Sequence, residues 1–347
     1  MNPEDFTRLA NNFYTSKRLE SHIDRISLDA DFINYYAANQ KDAPKHKIAF
    51  IFICLNPLYW QYAPEMVAGA KKLFLPGHKT DFFFWTDIPT EGVKEKIMEA
   101  WKERGKDVEN LDIVKTIDDI SNAVIDLRRK TDITLFPTEA VDWPYPTLLR
   151  YSLFLQQEEK LKEYDYIFYC DVDMRFVNVV GDEILGDITA AQHPMYALKK
   201  EYWPPYEPNP LSASYIKRPG RLIDDEGKPR FMPLYFAGGF QGGKSDKYIK
   251  AMKATKKIIE TDLNQSYVPL WNDESAWNKY LSKNPPDVVL SPSYIYPDSL
   301  IEEYYVKLWG QSYQPKLMTL TKWFSTSKEG GLAVNKMLKN ENSINPK

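Results

Sequence analysis

Residues 164–176 read YDYIFYCDVDMRF, which is the pattern of a short buried strand followed by two aspartates separated by one residue. Tyr166–Cys170 is an apolar, aromatic-rich run of strand length that ends directly at Asp171 and Asp173. Ligands of open α/β sheets bind at the carboxyl ends of the strands. Two carboxylates at such an end suit Mg²⁺ or Mn²⁺ shared with substrate phosphates. If strand geometry persists, Val172 points away and both carboxylates face one ion.

The bare Asp-x-Asp pattern has a plainer interpretation. Acidic pairs are typical of helix caps and surface turns in any soluble protein. The hydrophobic run directly before Asp171 favours the metal interpretation, because surface turns seldom follow such a run.

Composition bounds the class of protein. The chain has 347 residues, of which 43% are hydrophobic and 14% aromatic, enough for a sizeable core in one large or two modest domains. The net charge of -3 argues against a general electrostatic grip on nucleic acid or an anionic membrane. Cys54 and Cys170 both lie in apolar runs, which predicts buried reduced thiols and a reducing compartment.

The amino-terminal part predicts a cytoplasmic protein. Residues 1–20 are polar and lack an apolar signal region, and the apolar run Ile48–Leu55 is too short to span a bilayer. Residues 1–45 have a helical, charged pattern, so we expect a helical appendage there.

The following segment predicts a βαβ unit. Its elements are a strand at Ile48–Cys54, a helix at Pro64–Leu75 and a strand at Asp81–Thr86. Pro64 near the helix start and Gly77 after its end have their usual placement. No dinucleotide fingerprint or P-loop sequence follows the strand. We expect the loop Leu55–Tyr62 to face the same crevice as Asp171, because the strands are parallel.

Later segments alternate between helical and strand patterns. Tyr145–Lys162 has the pattern of one helix that carries Arg150 toward the Asp171 strand. The remaining predicted elements are helices at Glu91–Lys106, Ile117–Thr131 and Ser245–Thr261 and a strand at Ile133–Phe136.

Two polar or glycine-rich segments allow more than one interpretation. Ala237–Gly243, AGGFQGG, is too glycine-dense for an ordinary strand and predicts either a bulge or tight turn, or a close approach of backbone to ligand. Asp273 precedes a helical pattern and is a candidate helix N-cap.

Together these motifs, in this order, resemble glycosyltransferase family 6, the family of the blood-group A and B transferases, and in particular its soluble bacterial-type members. The likeness covers about residues 47–325. Its motifs are FLPGH (74–78), DVDM (171–174), HP (193–194), YEPNPLSASYI (206–216), AGGFQGG (237–243), WNDES (271–275) and LSP (290–292).

The resemblance implies an α/β GT-A fold, with a mixed, mostly parallel central sheet flanked by helices and split into a nucleotide-binding half and an acceptor-binding half. It implies transfer of N-acetylgalactosamine or galactose from a UDP-sugar, with retention, to the 3-OH of a terminal galactoside that can be fucosylated. Asp171 and Asp173 match the pair that holds Mn²⁺, with Mg²⁺ as an alternative. Glu274 matches the catalytic glutamate, as nucleophile or as stabiliser of positive charge.

The resemblance also assigns binding residues. His193, Trp271 and Asp298 match acceptor positions, and Ala237 and Gly239 leave room for an acetamido group. Tyr59 or Trp60 matches an aromatic residue that lies on uracil. The donor-binding set is Asn56, Tyr59, Trp60, Arg150, Asp171, Val172, Asp173, Ala237, Gly238, Gly239, Asp273 and Lys322.

Plainer roles stay open for three of these residues. Arg150 has the alternative of a helix surface charge, Trp271 that of a core aromatic, and His193 that of a structural histidine. The predicted domains are the appendage 1–45, a catalytic domain 46–325 and a flexible tail 326–347. Competing functions are another retaining GT-A transferase, for example with UDP-glucose, and a catalytically silent sugar- or nucleotide-binding module.

Overall fold

The structure, a computed structural model, describes residues 45–196, 205–217, 235–298 and 314–322. The predicted appendage therefore lies outside the described residues except for Lys45, and the predicted tail 326–347 lies wholly outside them. No helix among the described residues is long and apolar enough to cross a bilayer.

The described strands form two sheets. The large one has seven strands in the order β3-β2-β1-β4-β7-β6-β8, and the small one has the order β5-β10-β9. The strands are β1 Lys47–Cys54, β2 Lys79–Thr86, β3 Ile133–Pro137, β4 Tyr166–Cys170, β5 Met174–Phe176, β6 Thr189–Gln192, β7 Phe236–Lys244, β8 Val288–Leu290, β9 Tyr296–Pro297 and β10 Leu317–Thr319.

Most pairs in the large sheet are parallel. β1 pairs in parallel with β2 and β4, β2 with β3, and β6 with β8. Only β7 runs against its neighbours β4 and β6. Because β7 is antiparallel, its amino end meets the carboxyl end of β4, and the Asp171 amide donates to the Gly239 carbonyl at 2.9 Å. The predicted βαβ unit and the mostly parallel sheet are thus confirmed.

Helices cover both faces of this sheet, because successive residues of β1 are buried on opposite faces. Phe50 and Phe52 pack on one face, and Ala49 and Ile51 pack on the other. The helices are α1 Pro57–Trp60, α2 Ala63–Leu73, α3 Val93–Glu103, α4 Leu111–Leu127, α5 Tyr145–Leu148, α6 Arg150–Leu155, α7 Glu158–Leu161, α8 Ser245–Asn264 and α9 Asn272–Leu281.

The predicted strand Tyr166–Cys170 has the observed bounds, and both cysteines are buried and free as expected. The single helix predicted for Tyr145–Lys162 is wrong, because the chain forms the three short helices α5, α6 and α7. The helix predicted to begin at Ile117 begins at Leu111, where the Asn110 side chain accepts from the Asp112 and Ile113 amides.

The glycine-rich segment 237–243 is part of β7, a strand buried along nearly its whole length, so the alternative of a tight turn is wrong. The alternative of a bulge agrees with the register shift between β6 and β7, where Ala190 pairs with Gln241 and Gln192 with Phe236. Close packing explains the glycines. A Cβ at Gly242 would lie 2.3 Å from the Phe168 ring, and one at Gly243 would lie 2.1 Å from the Asp187 carbonyl oxygen.

Candidate active site

Asp171 and Asp173 stand at the carboxyl end of β4, where the strand stops. Residues 172 and 173 form a turn, so strand geometry does not persist past Cys170. Val172 is 3% exposed and belongs to the core, which anchors the turn. The Tyr169 hydroxyl donates to Asp171 Oδ1 from within the strand. Asp173 is largely buried, and burial followed by the neighbouring Asp171 raises its pKa, while Lys322 opposes the shift.

Arg150 connects this turn to the start of α9. Its NH2 lies 3.8 Å from Asp171 Oδ1, and its Nε lies 3.2 Å from Asp273 Oδ2. Its NH1 donates to the Gly238 carbonyl at 3.0 Å, and the guanidinium stacks 4.4 Å above the Tyr169 ring. Only 4% of Arg150 is exposed, which rules out the alternative of a helix surface charge. Burial opposes its charge, but Asp273 and its other anionic neighbours raise the pKa overall.

Asp273 does not cap α9. The N-cap is Trp271, and Asp273 lies in the first turn with its carboxylate directed at Arg150. Burial raises the pKa of Asp273 to about 6, although Arg150 opposes the shift. Asp273 Oδ2 and Arg150 Nε are both buried without a well-aligned hydrogen bond among the described residues. Two polar atoms of this kind can serve a ligand hydroxyl.

Glu274 lies against the glycines of β7. Its Oε2 accepts from the Gly238 amide at 2.8 Å. Burial raises the pKa of Glu274 to about 8, while the Gly238 amide opposes the shift. A Cβ at Gly238 would lie 3.5 Å from Asp273 Oδ2 and 3.7 Å from Glu274 Cβ, and one at Gly239 would lie 2.8 Å from Asp171 Oδ2. Gly238 therefore lies against Asp273 and Glu274 of α9, and Gly239 lies against Asp171 at the end of β4.

Lys322 reaches the same place from the carboxyl-terminal segment. Its Nζ lies 2.8 Å from Asp173 Oδ2 and 5.1 Å from the centre of the Tyr59 ring. Burial opposes the charge of Lys322, but Asp173 raises its pKa overall. We call the side chains on this side the charged wall, which consists of Arg150, Asp171, Asp173, Asp273 and Lys322.

Aromatic side chains form a second group close to Glu274. Tyr235 contacts the His193 ring at 5.8 Å and also packs on Tyr196 and Tyr206. Trp271 packs against this cluster, and its indole nitrogen is buried without a hydrogen-bond partner among the described residues. We call this group the aromatic wall, which consists of His193, Tyr196, Tyr206, Tyr235 and Trp271.

Two groups of the aromatic wall have shifted titration. Burial lowers the pKa of His193 to about 4, so its ring is neutral at neutral pH. Burial and then Glu274 raise the pKa of Tyr235 well above its usual range. The Tyr235 hydroxyl has no hydrogen bond of good geometry among the described residues, although it is close enough to Glu274 to influence its pKa.

The residues present fit a divalent ion that is shared with a ligand. Among the described residues no group of three or more His, Cys, Asp or Glu side chains could hold a metal alone. Asp171 and Asp173 supply two hard oxygen donors on one turn. Mg²⁺ and similar ions are commonly held by one or two carboxylates plus substrate phosphates and water, so a pair is sufficient.

A comparison with known families identifies the chain. A sequence model described as glycosyltransferase family 6 matches residues 147–323, just over half of the chain. The chain belongs to glycosyltransferase family 6. This match includes α6, the turn after β4, α9 and Lys322, which carry the charged wall. The GT-A fold that the resemblance implied is confirmed.

Individual relatives agree with this family. The chain is 30% identical over 233 residues to histo-blood group ABO system transferase 1 of Rattus norvegicus, covering 67% of the chain and 56% of the rat protein. It is 27% identical over 240 residues to globoside alpha-1,3-N-acetylgalactosaminyltransferase 1 of Gallus gallus, covering 69% and 59%. It is 27% identical over 158 residues to O-antigen biosynthesis glycosyltransferase WbnI of Escherichia coli, covering 45% and 62%. The chain thus spans under two thirds of these relatives' lengths.

The geometry separates the two aromatic candidates of the β1 loop. Trp60 of the family 6 chain is fully buried, and its indole N–H donates to Asp87 at 2.7 Å, which makes it a core residue. Tyr59 is half-buried beside Lys322 and therefore faces the site. Asn56 lies at the carboxyl end of β1 and caps α1, with its side-chain oxygen accepting from the Leu58 amide at 2.9 Å.

Asp298, a predicted acceptor residue, contacts the segment that contains Lys322. Its carboxylate accepts from the Thr321 amide at 2.9 and 2.8 Å, one residue before Lys322. It is therefore on the side of the charged wall, while His193 and Trp271 are together in the aromatic wall.

Sequence reasoning missed the residues that support the charged wall. Gln241 Nε2 donates to the Gly238 carbonyl at 3.0 Å, and the Tyr151 hydroxyl donates to Gln241 Oε1 at 3.0 Å. Asn278 exchanges hydrogen bonds of 2.9 and 2.8 Å with the Phe236 backbone and so fixes the start of β7 on α9. Tyr169, which donates to Asp171, was also missed. A signal for it was present in the sequence, because Tyr169 stands two residues before Asp171 and shares its side of the strand.

Proposed function

We propose that the chain is a divalent-metal-dependent, retaining glycosyltransferase that moves N-acetylgalactosamine or galactose from a UDP-sugar to the 3-OH of a terminal galactoside, giving an α1,3 linkage. The convergence of two distant acidic pairs supports this proposal above all. Arg150 contacts both Asp171 and Asp273, and Glu274 lies beside them on Gly238. A mere binding module has no need of this further carboxylate.

In this proposal the charged wall binds the nucleotide sugar. Asp171 and Asp173 would hold Mn²⁺ or Mg²⁺, which would neutralise the negative charge that develops on the departing UDP. Lys322 adds a tethered positive charge at the same place, and the half-buried Tyr59 offers its ring to uracil. Asp173 and Lys322 are paired at 2.8 Å. The pairing opposes the effect of burial on both pKa values and so favours the charged form of each group.

Arg150 and Asp273 orient the donor sugar. Both present buried polar atoms that lack a well-aligned partner, and sugar hydroxyls are donors and acceptors that can satisfy them. Ala237 and Gly239 are the small residues of β7 beside them. We infer that they leave room for an acetamido group, which favours N-acetylgalactosamine as the donor sugar.

Glu274 supplies the carboxylate for the anomeric carbon. It supports retention either by forming a glycosyl ester or by stabilising positive charge while the acceptor attacks from the side of the leaving group. Both roles need the ionised form. Burial favours the protonated form, and the Gly238 amide favours the ionised one. We therefore propose that the Arg150 guanidinium, which lowers the pKa of Glu274, favours this ionisation in the loaded enzyme.

The aromatic wall binds the acceptor. His193 Nδ1 accepts from the Met195 amide at 3.2 Å, so in the neutral ring Nε2 carries the proton and donates to a hydroxyl oxygen of the galactoside. Trp271 and the tyrosines give apolar faces for the sugar ring and for a fucose substituent. Neutral groups suit this role, because a galactoside is uncharged.

One assay tests the proposal. Purified protein is incubated with UDP-N-acetylgalactosamine, UDP-galactose or UDP-glucose, plain and fucosylated galactosides, and either Mn²⁺ or a chelator. We expect transfer from UDP-N-acetylgalactosamine and UDP-galactose when Mn²⁺ is present, and no transfer when the chelator replaces it. Transfer from UDP-glucose alone would make the chain a different retaining transferase. Binding of UDP without turnover of any donor would make it a silent module, and transfer undiminished by chelator would refute the metal assignment.

The proposed catalytic domain spans residues 46–325. It begins with β1, which pairs with β2 and β4, and it includes Lys322 at its far end. The proposal leaves residues 1–45 and 326–347 outside the catalytic unit.

A further inference from the structure

The carboxyl-terminal segment 314–322 lies across the metal-binding turn. Its strand β10 pairs with β5, which directly follows Asp173. Beyond the strand, the Leu320 amide donates to the Asp173 carbonyl at 2.9 Å, and Lys322 pairs with the Asp173 carboxylate at 2.8 Å. The segment is therefore attached to the same residue through its backbone and through a side chain. We call residues 314–322 the strap.

One end of the strap is anchored in the interior. Lys316 Nζ lies 2.7 Å from Glu183 Oε1, and the Tyr294 hydroxyl donates to the same oxygen at 2.8 Å. The Gly181 amide also donates to the Glu183 carboxylate. Glu183 is only 9% exposed, so these bonds are shielded from water. Breaking a buried, hydrogen-bonded charge pair is costly, so we expect this end of the strap to stay attached when the other end is released.

The other end of the strap is bonded through Thr321. Among the described residues, Asp298 is the side chain that accepts hydrogen bonds from Thr321. Both carboxylate oxygens accept from the Thr321 amide, and Oδ1 also accepts from its hydroxyl at 2.5 Å. The Asp298 amide donates in turn to the Thr319 carbonyl at 3.0 Å. Asp298 is exposed, so these bonds compete with water and are weaker than those of Glu183.

We propose that Asp298 is a positioning residue that latches the strap through Thr321 and thereby directs Lys322 toward the metal-binding turn and the donor diphosphate. The inference rests on the proposed function of the charged wall. It replaces the acceptor-binding role that the resemblance implied for Asp298. Two bonds on one residue fix the backbone next to Lys322, so the lysine loses little further conformational entropy when it meets a phosphate.

The latch role and the acceptor role predict opposite effects on the Michaelis constants. In Asp298→Ala the strap loses its latch but keeps its Glu183 anchor. We expect the KM for the UDP-sugar and the Kd for UDP to rise about five- to tenfold, with the galactoside KM within about twofold of wild type. A rise of the galactoside KM alone would overturn the latch and restore the acceptor role.

Lys322 provides the decisive comparison. Because Asp298 acts through Lys322, the double variant D298A/K322A should bind UDP no more weakly than K322A, within about twofold. Effects that multiply in the double variant would overturn the proposal. Asp298→Asn keeps one acceptor oxygen and should recover part of the loss. Asp119→Ala, which removes an exposed aspartate of α4, is the matched control and should leave all constants unchanged.

Calorimetric titration with UDP separates failure of the latch from failure of the proposed function, because it needs no transfer. If no galactoside is glycosylated but UDP binding weakens non-additively in these variants, the latch stands and the proposed transfer is wrong. If UDP binds the wild type and D298A equally, the latch is wrong whatever the activity. If the wild type binds no UDP, both are wrong.

Discussion

The charged wall and the aromatic wall both have members close to Glu274, and they are built in opposite ways. The charged wall holds its groups by ion pairs of 2.8, 3.2 and 3.8 Å that cross between distant parts of the chain. The aromatic wall holds its groups by ring contacts of 5.1 to 5.8 Å and keeps its one histidine neutral. The difference agrees with the proposal that one wall binds a charged ligand and the other an uncharged one. Each prediction below tests this division.

The largest effect is expected where the two walls meet. Glu274→Gln keeps the size of the side chain and removes its charge. We expect transfer to fall roughly 10³-fold, because the reacting carbon loses its carboxylate, while the Kd for UDP stays within about twofold. Steady-state kinetics and UDP titration check this. Intact transfer would show that Glu274 has no catalytic part and that the two walls do not share a reacting centre.

The same substitution carries a pH signature. The folded-state pKa of Glu274, about 8, is above its ordinary value, so the folded state retains the proton between roughly pH 4.5 and 8. Its contribution to stability is therefore lost as the pH rises through that window. E274Q should be more stable than wild type above pH 8 and equal to it near pH 4, as measured by urea unfolding. Parallel curves at all pH values would contradict the burial argument.

The next effect concerns the charged wall alone. Arg150→Ala leaves the buried Asp273 without a cation, and we expect the free energy of unfolding to fall by about 3 kcal/mol at pH 8. The loss should shrink near pH 5, because the isolated carboxyl then takes a proton. Arg150→Lys should recover only part, since an ammonium cannot reproduce the guanidinium contacts. Urea unfolding at both pH values measures this, and equal losses at both would contradict it.

A smaller effect should appear in the aromatic wall. His193→Gln removes the imidazole, and we expect the galactoside KM to rise about tenfold with the UDP-sugar KM unchanged. The folded-state pKa of His193, about 4, is below its ordinary value, so its stability contribution is lost as the pH falls from about 6.5 to 4. The variant should lose this acid-sensitive component. An altered UDP-sugar KM would break the division between the walls.

The smallest effect concerns the donor sugar. A methyl group at Gly239 would lie 2.8 Å from Asp171 Oδ2 and 2.9 Å from Ile295 Cδ1, so both side chains must shift slightly. In Gly239→Ala we expect the ratio of N-acetylgalactosamine to galactose transfer to fall by about fivefold, because the pocket narrows. Competition between the two donors measures the ratio. An unchanged ratio would show that the C2 substituent does not lie near Gly239.

Local sequence patterns predicted the parts of this molecule that local interactions determine. The run Tyr166–Cys170 is hydrophobic at every position because the strand is buried on both faces, and its bounds were predicted correctly. The βαβ unit and the acidic pair at the end of β4 followed from the same patterns. The helical pattern directed Arg150 toward the Asp171 strand, and the resemblance assigned it to the donor site. Lys322 was assigned by the resemblance alone, because no local pattern reveals its contact with Asp173.

The failures come from contacts between distant residues. Glycine is unfavourable in a strand, yet β7 needs it because Phe168 and Asp187 leave no space for side chains at Gly242 and Gly243. Trp60 and Tyr59 are adjacent in sequence, and only the bond from Trp60 to Asp87 shows which one is buried. The sequence likewise cannot show that Asp298 accepts hydrogen bonds from Thr321.

Two buried carboxylates tie the loop that contains Tyr206 to the end of α8. Asp262 accepts from Ser212 and Ser214, and Glu207 accepts from Tyr267 at 2.8 Å and from the Leu270 amide. Residues 205–217 and 262–271 therefore form one interlocked unit that includes Trp271. Engineering that exchanges one segment for that of a homologue would strand a carboxylate in the interior. A graft that aims at new glycan specificity should transplant both segments together.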